Sequence, residues 1–155
     1  MRAIESWVER PLSVFLDESA ARTAAVLTRS GQVVAQHGFN TAPDLMAAAA
    51  LAAGIMAAAG ELSQFLGSPP QRELAYEGRD LGVYLAAIEL PGRRWIGLVA
   101  FGKETSLGLV QLFFGELVSQ LQRAAPQMPS PRSDTGLERD FEAELDRSLR
   151  AMFGR

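Results

Sequence analysis

A chain of 155 residues, 48% of them hydrophobic and 21% charged, suits one globular domain with its own core and leaves little room for a second. Eighteen acidic against 15 basic residues give a formal net charge of −3, so no general attraction to phosphate backbones or anionic lipid operates, and neither nucleic acid nor membrane insertion is expected. No cysteine and a single histidine, His37, exclude disulfides, thiolate catalysis and the usual zinc sites, so no metal or cofactor is expected.

Glu5, Glu9 and Asp17 interrupt the first residues where a secretory signal would need a continuous apolar run, which points to a cytoplasmic protein. Between Ala3 and Ala21 the apolar residues Ile4, Trp7, Val8, Leu12, Phe15 and Leu16 recur at three-and-four spacing. This predicts an amphipathic helix, either continuous or restarting at Pro11. Thr23–Thr28 and Gln32–Gln36 are short β-type runs on either side of Ser30-Gly31, the pattern of a hairpin.

Pro43 and Asp44 open a long helical window that closes at Gly67 before Ser68-Pro69-Pro70. Its bulky apolar residues are Leu45, Leu51, Ile55, Met56, Leu62, Phe65 and Leu66, and nine of the 13 residues from Ala47 to Ala59 are alanine. The uncharged stretch from Leu45 to Gly60 is 16 residues long, short of the roughly 20 that cross a bilayer, and predicts a buried helix of a soluble domain.

Three β-type runs follow, Arg72–Glu77, Leu81–Leu90 and Trp95–Phe101, joined by Gly78-Arg79-Asp80 and Pro91-Gly92-Arg93-Arg94, both short enough for antiparallel hairpins. The first mixes charge with apolar residues, as an edge strand does, and the other two are apolar enough to be central and covered on both faces. Thr105 or Ser106 caps a helix carrying Leu107, Val110, Phe113, Phe114, Leu117, Val118 and Leu121, which should lie on the sheet.

Ala125–Ser133 holds three prolines and no periodicity, the composition of a linker. Thr135-Gly136-Leu137-Glu138 then has capping-box spacing ahead of a narrow stripe of Leu137, Phe141, Leu145, Leu149, Met152 and Phe153. About five large apolar residues, worth roughly 1.5–3 kcal/mol each when fully buried, face a backbone ordering cost of about 1–2 kcal/mol per residue. A tail helix of this kind needs a groove to be stable, on its own dimer or on a partner. The expected organisation is a domain over residues 1–123, a Pro-rich linker over 124–134 and an amphipathic tail helix over 135–155.

From Trp7 to Gln122 the sequence resembles the roadblock family of dynein light-chain-like domains, and within it the bacterial MglB branch. The resemblance lies in TAAVLTRSGQVVAQHG in the first hairpin and in the alanine-rich helix ending Leu62-Ser63-Gln64-Phe65-Leu66-Gly67. It continues in Glu77-Gly78 before a strand holding Val83-Tyr84-Leu85, and in Thr105-Ser106-Leu107-Gly108-Leu109-Val110 opening the next helix. The Pro-rich linker and acidic tail look like the MglB branch too.

This resemblance implies an α+β fold, α-β-β-α-β-β-β-α, with a five-stranded antiparallel sheet, the second helix on one face and the first and third on the other. It implies a homodimer joined through the second helix and third strand into a continuous sheet. It further implies that the dimer offers its second helix to a Ras-like small GTPase of cell polarity, promoting hydrolysis without contributing an arginine, while the tail reaches round the GTPase to modulate nucleotide exchange. Onto this chain it carries Ala53, Ala57, Gly60, Glu61 and Gln64 of the long helix as partner-binding residues, with Phe141, Leu145, Leu149, Met152 and Phe153 of the tail. The chain departs from the MglB pattern at Gly54-Ile55, where MglB-like sequences commonly have Gly-Asn, and at the bulky Met56. A dimeric roadblock adaptor with a non-GTPase partner fits the same fold.

Other residues carry plainer readings. His37 beside Gly38 has no matching ligand and reads as a turn residue. Arg93-Arg94 at a hairpin tip invites an arginine-finger role but reads as solvated turn charge. The acidic pairs Asp17-Glu18 and Glu142 with Glu144 read as surface, because acid-base work needs a desolvated carboxylate. Thr105-Ser106 has no phosphate loop before it. The alanine-rich helix is either packed closely on the sheet or free on one face for a partner. With no nucleophile, metal cluster or phosphate loop, a non-catalytic binding protein is expected.

Overall fold

The computed structural model describes residues 5–69, 72–126, 147–148 and 151–152. Its elements run α1 (Ser6–Ser19), β1 (Thr23–Thr28), β2 (Val33–His37), α2 (Ala42–Phe65), β3 (Glu73–Glu77), β4 (Gly82–Leu90), β5 (Arg93–Phe101) and α3 (Leu107–Ala124). The five strands form one sheet in the order β2-β1-β5-β4-β3, with β1 antiparallel to both β2 and β5 and β3 antiparallel to β4. This is the α+β element order and five-stranded antiparallel sheet that the resemblance implies, with β2 and β3 as the two edges.

Alternation along the strands divides the core between the two faces of the sheet. Ala24, Val26, Tyr84, Ile88, Trp95, Val99 and Phe101 join Val8, Leu12 and Phe15 of α1 and Val110, Phe114, Leu117 and Leu121 of α3. Ala25, Leu27, Leu85, Ile96 and Leu98 point the other way, onto Leu45, Ala49, Ala52 and Ala53 of α2. β4 and β5 are therefore covered on both sides, which explains their nearly continuous apolar sequence.

Aromatic rings lock the first layer: Trp7 stacks on Trp95 at 5.7 Å, and Phe114 meets Phe15 and Tyr84 edge to face at 6.0 and 5.3 Å. α1 is a single helix through Pro11, not one that restarts there. The proline removes one hydrogen bond, to the carbonyl of Trp7, and the burial of Val8, Leu12 and Phe15 outweighs that loss.

Local chemistry sets the other ends. Thr41 caps α2, its hydroxyl accepting from the Asp44 amide, and Gly67, at φ +69°, turns the chain out of the helix. The Gly67 and Ser68 amides donate to the carbonyls of Gln64 and Ser63. Of the two candidate caps of α3, Ser106 is the one used, accepting from the Leu109 amide at 3.2 Å. The Thr105 hydroxyl is buried and has no hydrogen-bond partner.

The β4–β5 turn is only Pro91-Gly92, so Arg93 and Arg94 open β5 instead of standing on a loop tip. The Arg94 guanidinium hydrogen-bonds the Glu89 carboxylate and is the first cause of that carboxylate's lowered pKa. The two-residue turn leaves no tip on which an arginine finger would stand.

The edge strand β3 is tied to α3. Tyr84 donates to Glu73 Oε2 at 2.7 Å, and Gln111 Nε2 donates to Glu73 Oε1 at 3.0 Å. Burial first, and the Glu73 hydrogen bond and charge after it, raise the Tyr84 phenol far above the ordinary value of about 10. A phenol kept protonated by folding contributes stability that is complete below pH about 10 and is lost as pH rises beyond it. Tyr84→Phe should therefore flatten the alkaline fall in stability just above pH ~10, measured by urea denaturation across the pH series.

Residues 147–148 and 151–152 are helical and belong to a second unit. The linker and the remainder of the expected tail helix lie outside the described residues, apart from Ala124, which ends α3, and Ala125 and Pro126 after it.

Candidate partner-binding surface

α2 has 24 residues, about 36 Å at 1.5 Å per residue. The expectation of a buried helix holds for one side only. Leu45, Ala49, Ala52 and Ala53 are buried on the sheet, with Met56 partly so, and from Ala57 onward Ser63 alone is buried. By length and apolar composition alone the helix could cross a membrane, but this side of it is part of the domain's own core.

Two open faces remain, separated by the roughly 100° turn per residue. Positions 53, 57, 60, 61 and 64 lie along one side of the helix, which is open from Ala57 onward. Within it, Ala57, Glu61 and Gln64 are exposed and Gly60 is partly buried. Ala53 differs: it is 8% exposed and packs in the α2 core layer. The β1–β2 turn closes over it, since a Cβ on Gly31 would stand 3.5 Å from Ala53 Cβ and 3.3 Å from Ala50 Cα. Gly31 has φ +93°, so both its backbone and this close approach favour glycine.

The other open face carries large apolar side chains. Leu51 is 68% exposed, Ile55 49%, Leu62 59% and Phe65 87%. With Ala58 they form a four-three-four-three stripe. Ile55, Leu74, Ala75, Tyr76, Val83 and Leu85 line an apolar hollow of about 350 Å³ between α2 and the β3–β4 edge. The stripe therefore continues onto β3, whose Tyr76 is 70% exposed and whose outer edge pairs with no strand among the described residues. Contiguous apolar surface beside an unpaired strand marks an interaction site.

Sequence reasoning named these side chains as the helix's bulky residues without separating them from the core-facing set. The signal that separates them is phase: the stripe lies about a third of a turn away from Leu45, Ala49, Ala52 and Met56.

Besides Tyr84, groups with shifted pKa values among the described residues belong to exposed ion pairs. Hydrogen bonding to Arg22 at 2.9 Å lowers the Glu104 pKa, and Arg94 and Arg72 lower that of Glu89. His37 lies at the end of the edge strand β2 with its Nε2 buried and without a hydrogen-bond partner. Asp17 and Glu18 are exposed, and no group of three His, Cys, Asp or Glu suited to a metal occurs among the described residues. Of the tail candidates, Met152 is helical and 74% exposed, whereas Phe141, Leu145, Leu149 and Phe153 are not among the residues whose side chains are described.

Residues 9–89 match the Roadblock/LC7 domain family. Among solved structures the chain is similar to the gliding protein MglB of Thermus thermophilus, with 27% identity and TM-score 0.68 over 81% of this chain and 93% of that one. It is also similar to an MglB in a tetrameric arrangement, with 28% identity and TM-score 0.64 over 74% and 85%. Myxococcus xanthus MglB shares the fold at 24% identity and TM-score 0.67 over 75% and 92%. No curated protein matches the sequence.

Proposed function

Because this chain belongs to the Roadblock/LC7 family, we propose that it is a homodimeric regulator of a Ras-like small GTPase, built in the manner of MglB. The observation that carries this reading is the division of α2. One face is apolar and continuous with the open edge of β3, as self-association needs, and a second, flat face of Ala57, Glu61 and Gln64 stays free for a partner. Likeness to the MglB structures at 27% and 28% identity favours a GTPase as that partner. A small-residue surface admits a globular partner closely, and Glu61 and Gln64 supply polar contacts at its end.

The tail residues Phe141, Leu145, Leu149, Met152 and Phe153 belong to the same proposal as a second contact that modulates nucleotide exchange in cell polarity or motility. The protein's own groups take no part in bond breaking: it stabilises a hydrolysis-competent arrangement of the GTPase.

The test pairs the full-length chain with the Ras-like GTPase of the same genome and measures single-turnover GTP hydrolysis. Stimulation by roughly tenfold or more is expected, and Arg93→Ala with Arg94→Ala should retain it within a few-fold, whereas loss of an arginine finger would return hydrolysis to the unstimulated rate. A stable complex with no stimulation would leave the chain a GTPase-binding protein without an activating role. Absence of any complex would remove the GTPase and assign the chain to the adaptor reading with a non-GTPase partner.

A further inference from the structure

Thr28-Arg29-Ser30-Gly31-Gln32 makes the β1–β2 turn a rigid tip. The Thr28 amide donates to the Gln32 carbonyl at 2.8 Å, and the Gly31 amide donates to the Thr28 carbonyl at 3.0 Å. The Thr28 hydroxyl accepts from the Gln32 amide at 3.0 Å and stands 3.1 Å from the Ser30 hydroxyl, while Gly31 closes the three-residue loop at φ +93°. These bonds hold the backbone of Arg29 and make no use of its side chain. That side chain is exposed and belongs to no ion pair among the described residues. Arg94, beside the Trp95 that faces Thr28 across the β1–β5 ladder, is already paired with Glu89.

The tip is seated against α2. A Cβ on Gly31 would stand 3.3 Å from Ala50 Cα and 3.4 Å from the Ala49 carbonyl oxygen. Ala50 is exposed and lies seven residues, about two turns, before Ala57 on the same side of the helix. Arg29 therefore stands at the border of the face formed by Ala57, Glu61 and Gln64. From Leu45 to Gly60 the helix carries no charge, so α2 offers the guanidinium no counter-ion there. A macromolecule seated on this face takes water away from Arg29 as well, and a guanidinium that loses water without gaining an anion opposes binding. The occupant that fits is one with an acidic group at this border, since the guanidinium fork matches a carboxylate in two hydrogen bonds.

Resting on the GTPase reading above, we propose that Arg29 is a specificity-determining contact of this surface and that the partner GTPase presents a carboxylate to it. The contact acts on association, and the chemistry of hydrolysis is left to the GTPase.

The test titrates the full-length chain against the Ras-like GTPase of the same genome and separates the dissociation constant from the maximal stimulated rate. Arg29→Ala should raise the dissociation constant about tenfold and Arg29→Glu about a hundredfold, whereas Arg29→Lys should keep most of the affinity. The maximal rate at saturation should stay within about twofold in each case, the signature of a contact made equally before and during reaction. Rising salt should weaken the unsubstituted complex more steeply than that of Arg29→Ala. Arg10→Glu makes the same change in net charge on α1, whose layer covers the opposite face of the sheet, and should leave affinity as it is. Circular dichroism checks that every variant is folded.

If Arg10→Glu weakens the complex as much as Arg29→Glu, net charge governs association and the proposal is overturned. A collapsed maximal rate with binding intact would put Arg29 on the nucleotide phosphate in place of a partner carboxylate, and overturns it too. A complex indifferent to Arg29→Glu overturns it while the GTPase reading stands. No complex with the unsubstituted chain removes both.

Discussion

Ala53→Arg should unfold the domain, whereas Ala57→Arg, one turn further along α2, should leave it folded and abolish partner binding. The two alanines are alike in sequence and differ in surroundings. Ala53 is 8% exposed, faces the layer formed by Ala25, Leu27, Ile96 and Leu98, and lies under the β1–β2 turn at Gly31. An arginine there must either leave its charge in an apolar layer or push α2 off the sheet. An unpaired buried charge costs about 3–5 kcal/mol, a large share of the roughly 5–15 kcal/mol that holds a domain together. A fall in melting temperature of about 10 °C or more is expected by calorimetry.

Ala57 is exposed, so an arginine there extends into water and changes the melting temperature little, with a cost within about 0.5 kcal/mol. On a partner the same side chain would stand where close approach is needed. Complex formation and stimulated GTP hydrolysis should disappear together, with the dimer intact by light scattering. If Ala57→Arg binds the GTPase normally, the Ala57, Glu61 and Gln64 face is not the contact. A stable Ala53→Arg would mean that the Gly31 turn does not close over it in solution.

Much of this architecture is legible in the sequence because the local signals agree with one another. Ser30-Gly31 turns the first hairpin, the alternation in Glu73–Glu77 announces an edge, and Val110, Phe114, Leu117 and Leu121 sit at helical spacing and all face the sheet. Element ends shift by one to three residues where capping decides, as at Thr41 and Ser106, and where a turn is tighter than its composition suggests, as at Pro91-Gly92.

The site is less legible, and α2 shows why. Alanine satisfies a core face, a close-packed partner face and a solvent face equally well, so nine alanines carry no phase. The phase comes from Leu45 and Met56 on one side and Leu51, Ile55 and Leu62 on the other, and which set faces inward depends on where β1 and β5 lie beneath the helix. Spacing alone groups Ala53 with Ala57, and only the position of the hairpin turn separates them.

A second large effect is expected on the apolar face. Ile55→Asp combined with Leu62→Asp should convert the dimer to a monomer while leaving each copy folded. Ile55 and Leu62 are 49% and 59% exposed in the single chain, so carboxylates there meet water and the domain's own core is untouched. Every residue in an isologous contact is counted twice. Fully burying one such side chain is worth about 1.5–3 kcal/mol, so even partial burial of four side chains per dimer supplies several kcal/mol, and each 1.4 kcal/mol lost weakens association about tenfold.

The substitution adds a penalty beyond that loss, because four carboxylates would be brought together away from water across the axis. Dissociation constants should rise by a factor on the order of 1,000 or more, with circular dichroism unchanged and sedimentation giving a single species of monomer mass. Lowering the pH should partly reverse the effect, since protonated Asp loses the repulsion and most of the desolvation cost; association should strengthen as pH falls through the ordinary carboxylate range near 4. Stimulation of the GTPase should fall in parallel if the partner surface needs both copies, and should persist if a single α2 suffices. A dimer that survives both substitutions would place self-association on a different surface of the domain and leave the exposed stripe of α2 to the partner.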